Sequence, residues 1–175
     1  MKPTRQERFE RLFRANHAAV RGYALRRAPA EVAQDVVAET FLVAWRRLED
    51  VPEDALPWLF GVARRVLANE RRSADRRAAL EQRVASAEVA GTSDAGDRVG
   101  EAELMRAALA GLSESHREAL MLVAWHGLTG ARAARAAGCS ATTFAVRLHR
   151  ARAKLAAQLA LLEQAPGEAQ PLEVS

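Results

Sequence analysis

Residues 119–162 read ALMLVAWHGLTGARAARAAGCSATTFAVRLHRARAKLAAQLALL and contain neither aspartate nor glutamate. Apolar residues at helical spacing on both sides of Gly138-Cys139-Ser140 predict two helices joined by a tight turn. The cations of the stretch are Arg132, Arg135, Arg147, Arg150, Arg152 and Lys154. A basic helix-turn-helix can approach phosphates and place its second helix in the DNA major groove, whereas a merely solvated face usually mixes both signs of charge. The stretch therefore predicts a DNA-binding domain.

Capping residues predict where the helices of this domain begin and end. Ser113 is a suitable N-cap for a helix that ends at Gly127. Thr129 can cap the next helix, which Gly138 ends, and Ser140 or Thr142 can cap the last one. The apolar residues of the last helix recur at helical spacing and predict its buried face: Phe144, Leu148, Ala151 and Leu155.

The last helix also supplies candidate contacts to DNA. Side chains near the N-terminal end of a recognition helix reach base edges, where arginine can bond guanine and threonine can meet a thymine methyl group. Cations further along such a helix hold phosphates. The candidate base contacts are Thr142, Thr143, Ala145 and Arg147, and the candidate phosphate contacts are Arg150, Arg152 and Lys154.

The N-terminal half is helical by the same criterion. Apolar residues at helical spacing mark three helices: Phe9, Leu12 and Phe13; Val37, Phe41, Ala44 and Leu48; and Leu59, Val62, Ala63, Val66 and Leu67. Alternating β-branched runs are absent from the sequence, so the predicted fold class is all-α. Pro52 and Pro57 bracket a loop from Glu49 to Leu56, and Pro57 is expected to be the first residue of the third helix.

Composition divides the chain into two small domains. Seven of the nine aromatic residues precede Gly61, and small polar residues fill the stretch Ala90–Gly100. Such a stretch is typical of a flexible linker. We predict helical domains at residues 1–82 and 101–163, a flexible linker at 83–100 and a disordered tail at 164–175.

The charges of the N-terminal half are distributed unevenly. Between Glu31 and Asp54 there are seven acids and two arginines, whereas between Arg64 and Arg77 there are six arginines and two acids. This asymmetry predicts two different partners, one that carries a basic surface and one that is itself an acid.

Other function classes lack their sequence signatures. Cys139 is the only cysteine, which excludes a disulfide or a cysteine-rich zinc site within the chain. The four histidines lack metal-ligand spacing, and no phosphate loop or nucleophile motif is present. We expect no metal, no cofactor and no catalysis by the chain itself. Without a signal peptide or a membrane-spanning stretch, we expect a cytoplasmic protein that is monomeric when free.

Two segments carry a family resemblance. The first comprises QDVVAETFLVAWR at residues 34–46 and PWLFGVARR at 57–65. The second comprises LSESHREAL at 112–120, GLT at 127–129 and GCSATTFAVRLHRAR at 138–152. The chain thereby resembles the extracytoplasmic-function (ECF) group of the bacterial RNA polymerase sigma-70 family, with the first segment similar to region 2 and the second to region 4. With their helices, they cover most of residues 6–160.

The resemblance implies the partners of each domain. In this family, region 2 docks an acidic helix on the clamp helices of the largest polymerase subunit, and region 4 lies at the flap region and reads the −35 element. The core polymerase contacts would be Asp35, Val36, Glu39 and Phe41, and the −35 contacts would be the seven residues given above for the last helix. An anti-sigma factor is a further partner that the family suggests.

The resemblance also implies that the loop at 49–56 helps to hold a flipped base of the −10 element. The implied −10 contacts are Asp50, Pro52, Glu53, Arg64, Arg65, Asn69, Arg72 and Arg76. Many family members have Asn in place of Arg65 and Asp in place of Asn69, so the identity of the flipped base is not carried over. Trp58 could stack on a base, but Trp58, Trp45 and Trp125 are better explained as core residues.

The predicted function is an ECF sigma factor that binds core RNA polymerase, directs it to promoters and helps to open the −10 region. An autonomous helix-turn-helix repressor or activator is the alternative, although the sequence has no heptad repeat for a dimer interface. A nucleic-acid enzyme is the third class, and it would need a catalytic cluster. Tight binding to promoter duplex without polymerase would distinguish the repressor from the sigma factor.

Overall fold

A computed structural model describes residues 3–84 and 100–164, and within these ranges it contains helices and turns but no strand. The all-α prediction is confirmed. Residues 85–99 of the predicted linker and residues 165–175 of the predicted tail lie outside the described residues.

Three helices form the N-terminal half: α1 (Arg5–Leu25), α2 (Ala30–Arg46) and α3 (Ala55–Val84), with one 3-10 turn (Leu48–Asp50) between α2 and α3. A capping box starts α1: the Thr4 hydroxyl accepts a hydrogen bond from the Glu7 amide, and the Glu7 carboxylate accepts one from the Thr4 amide at 2.7 Å. Each helix packs on the other two, so their apolar faces meet in one bundle.

The start of α3 differs from the prediction. The helix begins at Ala55, so Pro57 lies within its first turn and is not its first residue. Proline is tolerated there because the first amides of a helix have no acceptor in the preceding turn. Leu48, which was expected to continue α2, lies in the 3-10 turn, where its side chain is buried.

Four helices form the C-terminal half: α4 (Glu101–Ala110), α5 (Glu114–Ala124), α6 (Gly130–Ala137) and α7 (Ala141–Gln164). Ser113, Thr129 and Ser140 precede α5, α6 and α7 as predicted. The Ser140 hydroxyl accepts from the Thr143 amide at 3.1 Å, whereas Ser113 Oγ bonds Nδ1 of His116 instead of the backbone. The starts of these helices were therefore predicted correctly, although of the three residues only Ser140 caps its helix through a side-chain hydrogen bond to the backbone, and α5 ends at Ala124 instead of running to Trp125.

The two halves share one hydrophobic core. Buried residues of α1, α2 and α3 belong to the same cluster as those of α5, α6 and α7. The helices α3 and α6 approach closely at Gly61, where an added Cβ would lie 3.8 Å from the carbonyl oxygen of Arg135. The buried residues of α6 are all alanines, whose small side chains permit close packing on α3. They are Ala133, Ala134, Ala136 and Ala137. The sequence predicted two modest cores, and the structure merges them into one.

Replacing Gly138 with alanine should lower the free energy of unfolding by about 1–2 kcal/mol. Gly138 has a φ of +66°, and an added Cβ would meet the guanidinium of Arg64. Urea denaturation would measure the loss. Gly127→Ala is a matched control because Gly127 has a φ of +60° and no atom within 4 Å of an added Cβ. Equal losses in the two variants would mean that the contact with Arg64 contributes nothing.

Candidate functional site

An acidic face lies along the exposed side of α2. Asp35 and Glu39 are one turn apart and both are exposed, as predicted. Leu42 continues the same face and is 39% exposed, although a leucine of this helix would be expected inside. Leu42 lies three residues after Glu39, a spacing that places it on the same helix face. The sequence prediction did not include it. The face therefore combines two carboxylates with an apolar side chain.

Val36 and Phe41 require a correction because they do not reach this face. Val36 is fully buried and Phe41 is 4% exposed. The Phe41 ring packs on Phe13 with ring centroids 4.7 Å apart. Both residues lie on the inner stripe of α2, where the helical period also places Ala33 and Ala44. They lie behind the acidic face and are not part of it.

A basic face runs along α3. Arg65, Asn69, Arg72 and Arg76 are all exposed and share one side of the helix, as their spacing predicted. Within the face, the guanidinium of Arg72 donates to the side-chain oxygen of Asn69. The face is continuous over three helical turns, which suits an extended nucleic-acid strand.

Arg64 was predicted for the same face, and the structure places it elsewhere. Its side chain is half-buried and points toward Gly138 of the C-terminal half. Its Nε atom is buried and has no hydrogen-bond partner within the described part of the chain. Adjacent residues of an α-helix point about 100° apart around its axis. The side chain of Arg64 therefore points away from that of Arg65 and into the contact between the halves.

The loop before α3 borders a groove of about 860 Å³. Pro52, Glu53 and Asp54 line one side of it, while Asp50 is paired with Arg47 at 2.9 Å outside the groove lining. The opposite wall comes from α1 and was not anticipated from the sequence, because no local pattern relates α1 to this loop. Its polar lining residues are Arg8, Arg11 and Asn16.

Arg132 of α6 also lines this groove. Its Nε and Nη2 atoms donate to the two carboxylate oxygens of Asp54, each at 2.8 Å. These hydrogen bonds, together with the charges of Arg132 and Arg135, hold the pKa of Asp54 below its usual value of 3.8. Asp54 therefore stays ionised, and it joins the loop to the helix-turn-helix.

The last helix, α7, carries the residues that the sequence predicts as DNA contacts. Thr142, Thr143 and Ala145 are exposed near its N-terminal end, and Arg147 is half-buried. Arg150, Arg152 and Lys154 are exposed further along. Burial and the nearby charges of Lys154, Arg147 and Arg150 hold the pKa of His116 below 6.5. The region in front of α7 is therefore electrostatically positive.

A buried polar network joins the two halves, and sequence reasoning missed it. The hydroxyl of Tyr23 donates to Oε1 of Glu118 at 2.6 Å, and Arg27 donates to the same oxygen at 2.8 Å. Arg27 also pairs with Glu114, which Arg71 contacts at 2.6 Å. Burial raises the pKa of Tyr23 well above 10, so its hydroxyl remains a donor.

Aromatic rings complete this contact. Tyr23 stacks on Phe60 with centroids 4.7 Å apart, and His126 of the C-terminal half lies 4.6 Å from Phe60. Burial and then the charge of Arg26 lower the pKa of His126.

Trp125 requires a correction, because it was expected in the core and is 47% exposed beneath the guanidinium of Arg26. Trp58 packs against the core as predicted.

The part of the chain that the structure describes has no membrane-spanning helix and no metal-ligand cluster. None of its helices is both long enough and apolar enough to cross a bilayer. Among the same residues, no three histidine, cysteine, aspartate or glutamate side chains are grouped as ligands for a metal ion.

Comparison with known families and proteins agrees with this arrangement. Residues 12–77 match the model of sigma-70 region 2, and residues 102–155 match the model of sigma-70 region 4. The ECF RNA polymerase sigma factor SigL of Mycobacterium tuberculosis is 39% identical over 143 residues, which cover 76% of this chain and 78% of SigL. EcfG of Rhodopseudomonas palustris, another ECF sigma factor, is 37% identical over 133 residues, 74% of this chain and 72% of EcfG.

Solved structures share the fold. The sigma factor RpoE of Bartonella quintana, determined with the anti-sigma factor NepR, superposes with a TM-score of 0.67 at 24% identity over 87% of this chain and 97% of RpoE. CnrH, determined with the cytosolic domain of CnrY, gives a TM-score of 0.60 at 24% identity over 87% of this chain and 88% of CnrH. With the two regions in order and the identity to SigL, the chain belongs to the ECF group of the sigma-70 family of RNA polymerase sigma factors.

Proposed function

We propose that this sigma factor divides its task among three surfaces, each on a different helix. The acidic face of α2 binds core RNA polymerase, the basic face of α3 with the loop before it binds the −10 element, and α7 reads the −35 element. The observation that carries the proposal is the segregation of charge: exposed carboxylates on α2, and exposed cations on α3 and α7. A protein that bridges a basic polymerase surface and DNA needs this separation.

The polymerase contact is assigned to Asp35, Glu39 and Leu42. Charged side chains steer the encounter, and an apolar side chain beside them adds buried area on binding. Asp35 and Glu39 repel each other slightly on a free helix, and a basic partner relieves that repulsion.

The −10 contacts are assigned to Arg65, Asn69, Arg72 and Arg76, with the groove as the site of a flipped base. Unstacking a base costs a few kcal/mol, which a fitted pocket must offset. Support comes from the polar lining of the groove on both sides, by α1 and by the loop that contains Pro52 and Glu53. Arg8 and Arg11 thereby join the candidate contacts, whereas Arg64 needs a rearrangement before it can reach DNA.

Replacing Arg147 with alanine should reduce transcription in a promoter-dependent manner. Arg147 lies in the second turn of α7, where a side chain reaches base edges, and the loss of one bidentate contact to guanine costs about 1–3 kcal/mol. Run-off transcription from several promoters would measure the effect. Lys154→Ala is the control, since loss of a phosphate contact should weaken all promoters alike. An equal loss on every promoter with Arg147→Ala would make Arg147 a phosphate contact.

An anti-sigma factor is a proposed third partner. Two apolar grooves open on the surface, one beside Phe13 and Leu25 on α1 and one beside Met105 and Trp125 on α4 and α5. These four side chains are each at least 36% exposed and lie in pairs beside the grooves, and contiguous exposed apolar surface marks interaction sites. RpoE was determined with the anti-sigma factor NepR and CnrH with the cytosolic domain of CnrY. The two grooves are where we place an anti-sigma factor on this chain.

The test of the proposed function is co-elution with core RNA polymerase on a sizing column, followed by run-off transcription on genomic fragments. Co-elution with new, sequence-specific transcripts is the expected result. Failure to bind active core enzyme, combined with tight binding to duplex DNA as a dimer, would favour the repressor or activator.

A further inference from the structure

We propose that a cavity in this protein is a binding site for a small molecule that carries a diphosphate group, such as a nucleoside diphosphate. The cavity has a volume of about 490 Å³, which lies within the range typical of small-molecule sites. Residues of α1 and α3 line one side, and residues of α5 and α7 line the other. The site goes beyond the polymerase and promoter contacts proposed above.

The lining of this cavity has an excess of positive charge. Four arginines and two glutamates contribute to it: Arg27, Arg64, Arg71, Arg147, Glu114 and Glu118. Both glutamates are already paired, since Glu118 accepts from Arg27 at 2.8 Å and Glu114 is contacted by Arg71 at 2.6 Å. Among the side chains that the structure describes, Arg64 and Arg147 form no ion pair. Two guanidinium charges therefore remain available to an anion.

Arg64 gives the most direct indication of a ligand. Its guanidinium lies against Gly138, and its buried Nε atom has no hydrogen-bond partner within the described ranges 3–84 and 100–164. A buried donor that lacks an acceptor is costly, and the cost is larger for a charged group. The oxygens of a phosphate would supply the acceptors, because the planar fork of arginine donors matches phosphate geometry.

The start of α5 contributes further positive potential. Ser113, Glu114 and Ser115 line the cavity at this helix end. The Ser113 hydroxyl bonds Nδ1 of His116 at 3.0 Å instead of capping the backbone, so the first amides of α5 are not taken by its side chain. Free amides and the helix dipole attract anions to a helix N-terminus. The carboxylate of Glu114 opposes an anion there, but its pairing with two arginines offsets this effect.

The arrangement favours a diphosphate over a single inorganic anion. The two unpaired guanidiniums belong to different helices, α3 and α7, so each can bind one phosphate group. Leu67, Ala68 and Ala137 add apolar lining, on which an organic group such as a nucleoside can pack. A ligand that binds Arg64 and Arg147 together joins the two halves of the chain and stabilises the folded protein in proportion to its occupancy.

The test is isothermal titration calorimetry of the full chain with inorganic pyrophosphate, in the absence of polymerase and DNA. ADP is titrated in the same way as a probe with an organic group. Arg64→Met and Arg147→Met each remove one unpaired guanidinium while keeping an apolar side chain. Arg77→Met is the control, because it removes the same charge from an exposed position of α3 that does not line the cavity. Sulfate at the same ionic strength measures the general attraction of anions.

The wild-type protein should bind one pyrophosphate, and both cavity variants should bind it at least about tenfold more weakly than the control does. ADP should compete with pyrophosphate for this site. No binding by the wild-type protein, an equal loss in the control, or equal affinity for sulfate would each overturn the proposal. Circular dichroism identifies a variant that fails to fold, in which case the other decides. The result is independent of the proposed function, which the polymerase co-elution tests separately.

Discussion

Replacing both Asp35 and Glu39 with arginine should abolish co-elution of the protein with core RNA polymerase. The two carboxylates are exposed on one face of α2, and neither forms an ion pair within the described residues. Like charges placed against each other across an interface cost several kcal/mol, which corresponds to a loss of affinity of at least about a hundredfold. The free energy of unfolding should be nearly unchanged, because both side chains point into water.

The matched control for this variant is Glu103→Arg with Glu163→Arg. It makes the same change of charge at two exposed carboxylates of the C-terminal half. The control should still co-elute, which would separate a local effect on α2 from a general effect of net charge. Retained binding by the Asp35 and Glu39 variant would exclude the acidic face as the polymerase contact.

The second large effect is expected from Arg72→Ala combined with Arg76→Ala. Each phosphate contact to single-stranded DNA contributes about 0.7 to the slope of log affinity against log salt, so losing two should make the slope shallower by about 1.4. The holoenzyme would be titrated with a labelled −10 strand at several salt concentrations. Arg14→Ala with Arg77→Ala removes two exposed arginines away from this face and should leave the slope unchanged. An unaltered slope in the first variant would remove α3 from the DNA contact.

Local signals explain why so much of the fold could be predicted. A capping hydroxyl, a left-handed glycine and an apolar stripe each act within a few residues, as Ser140, Gly138 and Phe144 illustrate. The helical period of 3.6 residues also predicted which residues share the exposed faces of α2, α3 and α7. Val36 and Phe41 were misjudged because the family resemblance was given more weight than the helical stripe that already placed Phe41 inside.

The contact between the halves could not be predicted from the sequence. Tyr23 and Glu118 lie 95 residues apart, and the local sequence around either residue gives no indication that it contacts the other. In the sequence, Glu118 stood out only as part of the segment LSESHREAL that resembles region 4. Arg64 was assigned to DNA for the same reason, since a surface arginine and an arginine beneath a second domain have identical local sequence signals.

The shared core has a consequence for synthesis on the ribosome. Tyr23 and Phe60 are fully buried partly by His126 and by α6, which follow much later in the chain. Roughly 80 residues separate Phe60 from the end of α6, and translation at 5–20 residues per second takes about 4–16 s to cover them. For that interval, Tyr23 and Phe60 can pack on each other but lack the cover that His126 provides. Chains that end before His126 should therefore expose more aromatic surface than the full chain and be more sensitive to proteolysis.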